Sequence, residues 1–302
     1  MLDIKIFTFL KVAELKNYTK AAAYLNLTQP AVSQHIKKLE EYYGCKLIEI
    51  EGKSVNLTEG GKALYNYANF QAANEKQLIN RLKSIETPLK IGATLSIADY
   101  YLPSYLNSYI SNSNELFSLT VKNTKSIIEM LLNNELYCAF IEGIFDKSLF
   151  YYHEFCTTKF IPVARKGHPL GGKNSYLPEF HNYPLILREE GSGTREIFEN
   201  YLYQNNDSIL SFKKIFEISS FGIIKKVLKN SDAISFMYED VAKQEVENGE
   251  LCYLSLKGYS IERPLYFIYP CNSLMKGRNE TFYRNLTARG ILWKNYDSEI
   301  IP

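Results

Sequence analysis

The sequence contains few of the residues that build metal sites and disulfide frameworks. Its 302 residues include 5 Cys and 4 His, and neither type occurs at a Cys-x-x-Cys or His-x-x-x-His spacing. We therefore predict no metal site, and the odd, scattered thiols are typical of reduced cytoplasmic cysteines. The phosphate-binding glycine motifs and an evident Ser–His–Asp set are also missing. This predicts no bound cofactor and no enzymatic activity.

Long apolar runs are absent as well. No uncharged apolar stretch reaches the roughly 18 residues that a membrane-spanning helix needs, so we predict no membrane partner. Asp3, Lys5 and Lys11 interrupt the first residues, which lack the apolar core of a signal peptide. The expected location is therefore the cytoplasm.

The charge that is present is unevenly distributed. The chain carries a net +2. Residues 1–88 hold 12 Lys and Arg against 9 Asp and Glu, a net +3, which leaves −1 for the remainder. This modest basic excess at the N-terminus is compatible with a nucleic-acid partner but does not establish one.

Residues 1–58 have the pattern of three short helices followed by a hairpin. Asn17 and Thr28 are suited to cap the second and third helices, and Gly44 is suited to end the third. Alternating residues around Glu51-Gly52 predict the hairpin. We interpret this region as a winged helix-turn-helix DNA-binding domain.

The third helix has one apolar and one polar face. Val32, Ile36 and Leu39 form the apolar stripe, whereas the opposite side offers hydrogen-bonding side chains for bases and cations for phosphates. Gln34 is suited to adenine, and a solvated helix face is the alternative reading. The predicted DNA-binding residues are Thr19, Thr28, Gln29, Pro30, Ser33, Gln34, Lys37 and Lys53.

Residues 59–88 predict one long helix. Leu64, Gln71, Leu78 and Ile85 recur every seven residues, which favours a linker that pairs with a second copy. An amphipathic helix that packs only on its own domain is the alternative.

Residues 89–302 alternate between strand and helix patterns in two similar halves. This predicts an α/β domain of two subdomains with a ligand-binding cleft between them. Subdomain I comprises about 89–161 and 269–302, and subdomain II about 162–268. Several hydroxyl-bearing residues begin helices at the expected cleft, where N–H groups suit anions. The candidate ligand-binding residues are Thr94, Ser96, Thr124, Ser192, Gly193 and Thr194.

Ordinary N-capping explains each of these helix starts equally well. Arg195 is open to two interpretations in the same way, either as a ligand contact or as a partner of Glu199 on its own helix.

A long run resembles the N-terminal signature of LysR-type transcriptional regulators: FLKVAELKNYTKAAAYLNLTQPAVSQHIKKLEEYYGCKLIEI followed by LTEGG. The resemblance implies a transcriptional regulator that binds double-stranded DNA, forms a homodimer or homotetramer, and acts on RNA polymerase. It also implies that residues 89–302 form an α/β effector-binding domain like the periplasmic binding proteins, with a small-molecule effector in its cleft. A solute-binding protein without a DNA function is the alternative. Ile48 and Ile50 stand where the family usually has Phe and Arg, which puts a wing arginine contact in doubt.

Two further runs, ILREEGSGTRE and GATLSIADYYLP, look most like the branch of cysteine-metabolism regulators. That likeness implies a sulfur-linked metabolite or a small oxyanion that contacts Thr94, Ser96 and Thr194. Ile97 replaces a polar contact expected in sulfate-binding members, so a small carboxylate and a neutral thiol-ester-like metabolite are equal candidates.

Overall fold

The computed structural model describes residues 3–51, 54–82 and 87–287, and the chain divides into two compact units. Unit 1 is Met1–Thr87 with Leu132–Glu135, and unit 2 is Pro88–Leu131 with Leu136–Pro302.

Unit 1 contains the helices and the hairpin that its sequence predicts. Its elements are α1 (Ile4–Leu15), α2 (Tyr18–Leu25), α3 (Gln29–Tyr43), β1 (Ile48–Glu51), β2 (Ser54–Leu57) and α4 (Glu59–Leu82). The predicted caps are confirmed, since Asn17 accepts the N–H of Lys20 and Thr28 accepts that of Ala31. Gly44 ends α3 in the left-handed conformation, at φ +68°.

One close contact joins the start of α4 to the strand region before it. The Thr58 hydroxyl accepts the Gly61 N–H at 3.0 Å and donates to the Lys46 carbonyl at 2.6 Å. Gly61 lies so close to this segment that a Cβ there would be 1.9 Å from the Leu47 carbonyl oxygen. Only glycine fits this position without a main-chain shift.

Helix α4 has both buried and exposed apolar positions. Leu64 and Ala68 belong to the core of unit 1, and Phe70 is also buried. The exposed apolar side chains are Tyr67, Leu78, Ile79 and Leu82. The heptad series therefore starts inside its own unit and becomes exposed further along, while Ile85 lies outside the described residues.

Unit 2 has the two β/α halves that were predicted. The first half and the start of the connection contain β3 (Leu89–Ala93), α5 (Leu95–Tyr100), α6 (Leu102–Asn112), β4 (Phe117–Val121), α7 (Thr124–Leu132), β5 (Cys138–Ile141) and β6 (Phe150–Arg165). There follow β7 (Asn174–Ser175), α8 (Leu177–Phe180), β8 (Pro184–Leu187), α9 (Gly193–Gln204), a 3-10 turn (Ile209–Ser211), β9 (Lys214–Glu217), α10 (Phe221–Lys229), β10 (Ile234–Tyr238), α11 (Glu239–Glu247), β11 (Leu251–Tyr253), β12 (Ser255–Leu256), β13 (Ile261–Pro270) and α12 (Lys276–Thr287).

A continuous sheet runs through both halves in the order β4-β3-β5-β13-β6-β10-β8-β9, with β11 added on β6. The strands β4, β3 and β5 of one half are parallel to one another, as are β10, β8 and β9 of the other. The central pairs β5–β13, β13–β6 and β6–β10 are antiparallel. Strand β6 begins at Phe150, ten residues before the run FIPVAR that predicted it. Its first part is recognisable only through pairing with β13, about a hundred residues later in the chain.

The register brings the carboxyl ends of the two halves toward each other. Ile141 at the end of β5 pairs with Tyr266, and Tyr238 at the end of β10 pairs with Phe160. Strands β5 and β10 flank the β6–β13 pair and run in opposite directions. Both end at the segment of this pair that lies between Phe160 and Tyr266. In open α/β sheets ligands bind outside the carboxyl ends of strands, so this segment marks the cleft.

Candidate functional site

The third helix presents the polar face that the sequence predicts. Val32, Ile36 and Leu39 are buried in the core of unit 1, while Gln34 and Lys37 on the opposite side are exposed. Gln34 forms no side-chain hydrogen bond within the described chain, and the Lys37 ammonium is 3.8 Å from Glu41 on the next turn. This face therefore has free hydrogen-bonding capacity at one end and a cation further along.

The other residues predicted to contact DNA differ in whether their side chains already have a hydrogen-bond partner within unit 1. The Gln29 amide donates to the Ser33 hydroxyl at 3.2 Å, and Pro30 is exposed in the first turn of α3. Thr28 caps α3, as the structural interpretation predicted, and Thr19 is exposed in the first turn of α2. Lys53 lies outside the described residues.

Two further polar residues, His35 and Lys46, have side-chain partners within unit 1. His35 Nδ1 is 2.9 Å from the hydroxyl of buried Thr8, which ties α3 to α1. Lys46 pairs with Glu40 at 2.7 Å. Burial opposes ionisation of Glu40, but hydrogen bonds from Lys46 and the backbone of Leu47 outweigh it and lower the Glu40 pKa. Lys46, which precedes Ile48 and Ile50 of the wing, is therefore already paired with Glu40.

In unit 2, three of the predicted effector residues meet one buried carboxylate residue that the sequence interpretation missed. Ser96 donates to Glu142 Oε1 at 2.8 Å, and Thr124 donates to the Glu142 carbonyl at 3.0 Å. A Cβ on Gly193 would lie 2.8 Å from that carbonyl oxygen and 2.8 Å from Thr124 Oγ1. The first turn of α9 can approach so closely because it begins with glycine.

Plain N-capping does not account for two of the hydroxyls. Thr94 and Ser192 occupy the N-cap positions of α5 and α9, and neither makes a side-chain capping hydrogen bond. Ser192 and Thr194 share a hydrogen bond of 2.9 Å. Thr94 Oγ1 is buried near Glu142 and forms no hydrogen bond of standard geometry with a described residue.

Four buried polar atoms without a partner among the described residues lie at the ends of four strands. Thr94 follows β3, Glu142 follows β5, Arg188 follows β8, and Tyr238 ends β10. The atoms are Thr94 Oγ1, Glu142 Oε2, Arg188 Nη1 and Tyr238 Oη, on side chains at most 5% exposed. Buried polar atoms are nearly always hydrogen-bonded, so a group of unpaired ones at a cleft indicates a binding site.

These four residues also interact electrostatically. Burial raises the pKa of Glu142 to about 7, although the Ser96 hydrogen bond and the Arg188 charge act in the opposite direction. Arg188 donates from Nε and Nη2 to both carboxylate oxygens of Glu189, at 2.9 and 3.0 Å, and its guanidinium stacks 4.6 Å above the Phe221 ring. A charge held this firmly can orient a ligand through its remaining N–H groups.

Arg195 pairs with Glu199 on its own helix, as one of its two interpretations predicted. Its guanidinium bonds Glu199 at 2.8 Å and Glu217 at 2.7 Å. It also lines a groove of about 570 Å³ with Thr124, Ser192 and Glu196.

The sequence did contain a signal for Glu142 and Arg188. Each is a charged residue that directly follows an apolar strand, CAFI for Glu142 and PLIL for Arg188. Both strands belong to parallel pairs, whose carboxyl ends are where ligands bind. The hydroxyl groups at the helix starts point to the same strand ends, but they do not indicate these charged residues.

Comparison with known proteins places both units in one family. The model of the bacterial regulatory helix-turn-helix proteins of the lysR family matches residues 5–62, and the LysR substrate binding domain matches residues 83–290. The chain belongs to the LysR family of transcriptional regulators. The alternative of a solute-binding protein without a DNA function is therefore wrong.

Individual relatives agree with this assignment over nearly the full chain. The HTH-type transcriptional regulator CysL of Bacillus subtilis is 28% identical over 301 residues, covering 97% of each chain. The HTH-type transcriptional activator CmpR of Synechocystis is 31% identical over 288 residues, covering 93% of each. The similarity to CysL is in line with the resemblance to the cysteine-metabolism branch.

A solved structure supports the same fold. Full-length LysG from Corynebacterium glutamicum with bound effector Arg superposes with a TM-score of 0.66 at 17% identity, covering 96% of this chain and 99% of LysG.

None of the helices in the described part of the chain is long and apolar enough to cross a membrane.

Proposed function

We propose that α3 is the recognition helix of this LysR-type regulator and enters the major groove of a specific DNA site. In this proposal Gln29, Pro30, Ser33 and Gln34 face base edges, and Lys37 binds phosphate. Thr19, Thr28 and Lys53 add backbone contacts. The observation that carries the proposal is the exposed polar face of α3 opposite a buried Val32–Ile36–Leu39 stripe.

Gln34 provides the sharpest test of base reading. The full-length protein selects preferred duplexes from a random-sequence library, and fluorescence anisotropy then measures affinity for the selected site and for single-base variants. Gln34→Ala should cost about 1–3 kcal/mol and relax selectivity at one base pair, because one good base contact is lost. The exposed Gln204→Ala, on α9, is the matched control. Unchanged selectivity in Gln34→Ala would show that α3 does not read bases through this residue.

We further propose that the effector binds in the cleft of unit 2, between subdomain I (89–161 and 269–302) and subdomain II (162–268). The six predicted residues Thr94, Ser96, Thr124, Ser192, Gly193 and Thr194 then surround or support the ligand. The unpaired buried atoms at the strand ends support this position. A small oxyanion, a carboxylate or a sulfur metabolite fits the resemblance to the cysteine-metabolism branch.

The linker of residues 59–88 provides the assembly contact in this proposal. Leu78 and Leu82 are exposed and one helical turn apart, beside exposed Ile79, so a second α4 is the partner that would bury them. The protein would then act in the cytoplasm as a homodimer or homotetramer and change access of RNA polymerase to DNA, without catalysing a reaction. Leu78→Glu with Leu82→Glu should dissociate the assembly in sedimentation velocity, and a wild-type monomer at micromolar concentration would contradict the assembly.

A further inference from the structure

We propose that the effector is a small zwitterion, whose cationic nitrogen binds Glu142 and whose anionic group binds Arg188. This inference rests on the proposed function, because it concerns the ligand of the same cleft. It adds a positive group to the anionic group expected from sequence.

The unpaired buried atoms of the cleft include both hydrogen-bond donors and hydrogen-bond acceptors. Glu142 Oε2 is an acceptor when ionised, while Arg188 Nη1 is a charged donor. The Thr94 and Tyr238 hydroxyls can each donate to an anionic group and accept from a nitrogen. A ligand that carries only acceptors would leave the Glu142 carboxylate without a partner.

The charges around the cleft favour a ligand that includes a cation. The cationic groups Arg188 and Lys225 are each paired with a carboxylate, Glu189 for the first and Glu245 for the second, at 2.7 Å. Asp99 lies within electrostatic range of both cations. Four acidic groups, Glu142, Glu189, Asp99 and Glu245, stand against three cations, Arg188, Lys225 and Arg263, of which Arg263 acts on Tyr238. The acidic groups are therefore in excess by one.

A simple oxyanion meets a physical obstacle at this position. If an oxyanion takes the free edge of Arg188, it weakens the compensation of the Glu142 charge, and a buried carboxylate without a cation is strongly unfavourable. Glu142 would then have to take up a proton. A zwitterion needs no such proton uptake, because its own nitrogen replaces the lost compensation.

The two halves of unit 2 pack closely beside Glu142. The two halves approach at a glycine pair, where Gly143 adopts φ +90° and a Cβ on it would lie 2.9 Å from the Gly193 Cα. Thr94, Ser96, Glu142 and Thr194 are all at most 1% exposed. The candidate ligand is therefore a compact molecule whose cationic and anionic groups are separated by only one or two carbon atoms, such as an α-amino acid or an aminosulfonic acid.

The test uses the full-length protein and matched probes. Thermal shift is measured with the common L-α-amino acids and taurine, each beside the corresponding acid without nitrogen and the corresponding amine without the acid, and with inorganic sulfate and phosphate. At least one zwitterion should raise Tm while its two fragments at the same concentration do not. Isothermal titration should then show that Glu142→Gln weakens that zwitterion about 10- to 100-fold, as expected for loss of a charged hydrogen bond. The exposed Glu154→Gln is the control variant and should bind like wild type.

Three results would overturn the zwitterion proposal: no zwitterion raises Tm, an acid fragment or inorganic anion binds as well as the zwitterion, or Glu142→Gln keeps full affinity. The wild-type comparison with fragments holds even if the variant folds poorly. Arg188→Gln separates this failure from failure of the proposed cleft. If an anion binds instead and Arg188→Gln abolishes its binding, only the ligand class is wrong. If binding survives both variants, the cleft itself is wrong.

Discussion

The recognition face of unit 1 and the cleft of unit 2 are both polar, but they differ in how their polar groups are satisfied. Gln34 and Lys37 are exposed, so water can satisfy them until DNA arrives. Arg188, Glu142 and Thr94 are buried, and each has a polar atom without a partner in the described chain. The recognition face can therefore be assembled at little cost in stability. Unpaired buried groups in the cleft destabilise the fold, and a ligand that binds them would offset that cost.

The largest effect should come from breaking unit 1 alone. Gly61→Ala places a Cβ 1.9 Å from the Leu47 carbonyl oxygen, so main chain must move and we expect a loss of about 3 kcal/mol or more in unfolding free energy. Denaturant unfolding measures the loss, and DNA binding should fall with it. Gly60→Ala is the neighbouring control, since its nearest atom is the Cys45 sulfur at 3.0 Å on an exposed side chain. Equal losses for the two variants would contradict this account of the close contact.

Removing the buried charge of Glu142 should raise the unfolding free energy, whereas Gly61→Ala lowers it. The Glu142 pKa is raised from its model-compound value of 4.5 to about 7 in the folded chain. The folded state therefore keeps a proton that the unfolded state has released, and stability decreases as pH rises from about 4.5 to 7. Glu142→Gln should remove this decrease and stabilise the empty protein by up to about 3 kcal/mol at pH 8.

Unfolding curves from pH 5 to pH 8 test that sign directly. The groups that interact with this carboxyl are the Ser96 and Thr94 hydroxyls, Arg188, Glu189 and Tyr238. The wild-type and Glu142→Gln curves should converge toward pH 4.5 and separate above it. A wild-type protein that becomes more stable than the variant as pH rises would mean that Glu142 is well compensated in the empty cleft.

A pair of threonines gives the smallest and most closely matched contrast. Thr28 caps α3, so Thr28→Ala should cost about 1 kcal/mol. Thr94 holds a cap position without a capping bond and buries its hydroxyl, so Thr94→Val should be neutral or stabilise by up to about 1 kcal/mol. Thermal denaturation of both variants measures the difference. A loss in Thr94→Val as large as that in Thr28→Ala would show that the Thr94 hydroxyl is satisfied.

The same difference between the regions explains what the sequence could predict. The helix caps Asn17 and Thr28, the buried stripe of α3 and the hairpin are all encoded within a few residues of one another. Local periodicity and capping chemistry are enough for such features. Unit 1 was therefore predicted almost element by element.

The cleft depends on contacts between distant parts of the chain. Glu142 meets Ser96 across 46 residues, and the first part of β6 pairs with β13 more than a hundred residues away. No local pattern encodes such pairings, so the hydroxyls at helix starts were predicted while Glu142 and Arg188 were not. The order of strand ends in the sheet is what brings these side chains together.

The coupling of DNA affinity to the cleft tests the central claim most directly. Fluorescence anisotropy on the selected duplex, with and without a saturating small molecule that raises Tm, measures it in wild type and in Arg188→Gln. A regulator of this design should show a change in DNA affinity of roughly 5- to 150-fold in wild type and none in Arg188→Gln. Equal DNA affinity in wild type with and without that molecule, or an equal change in both proteins, would contradict a cleft that regulates DNA binding through Arg188.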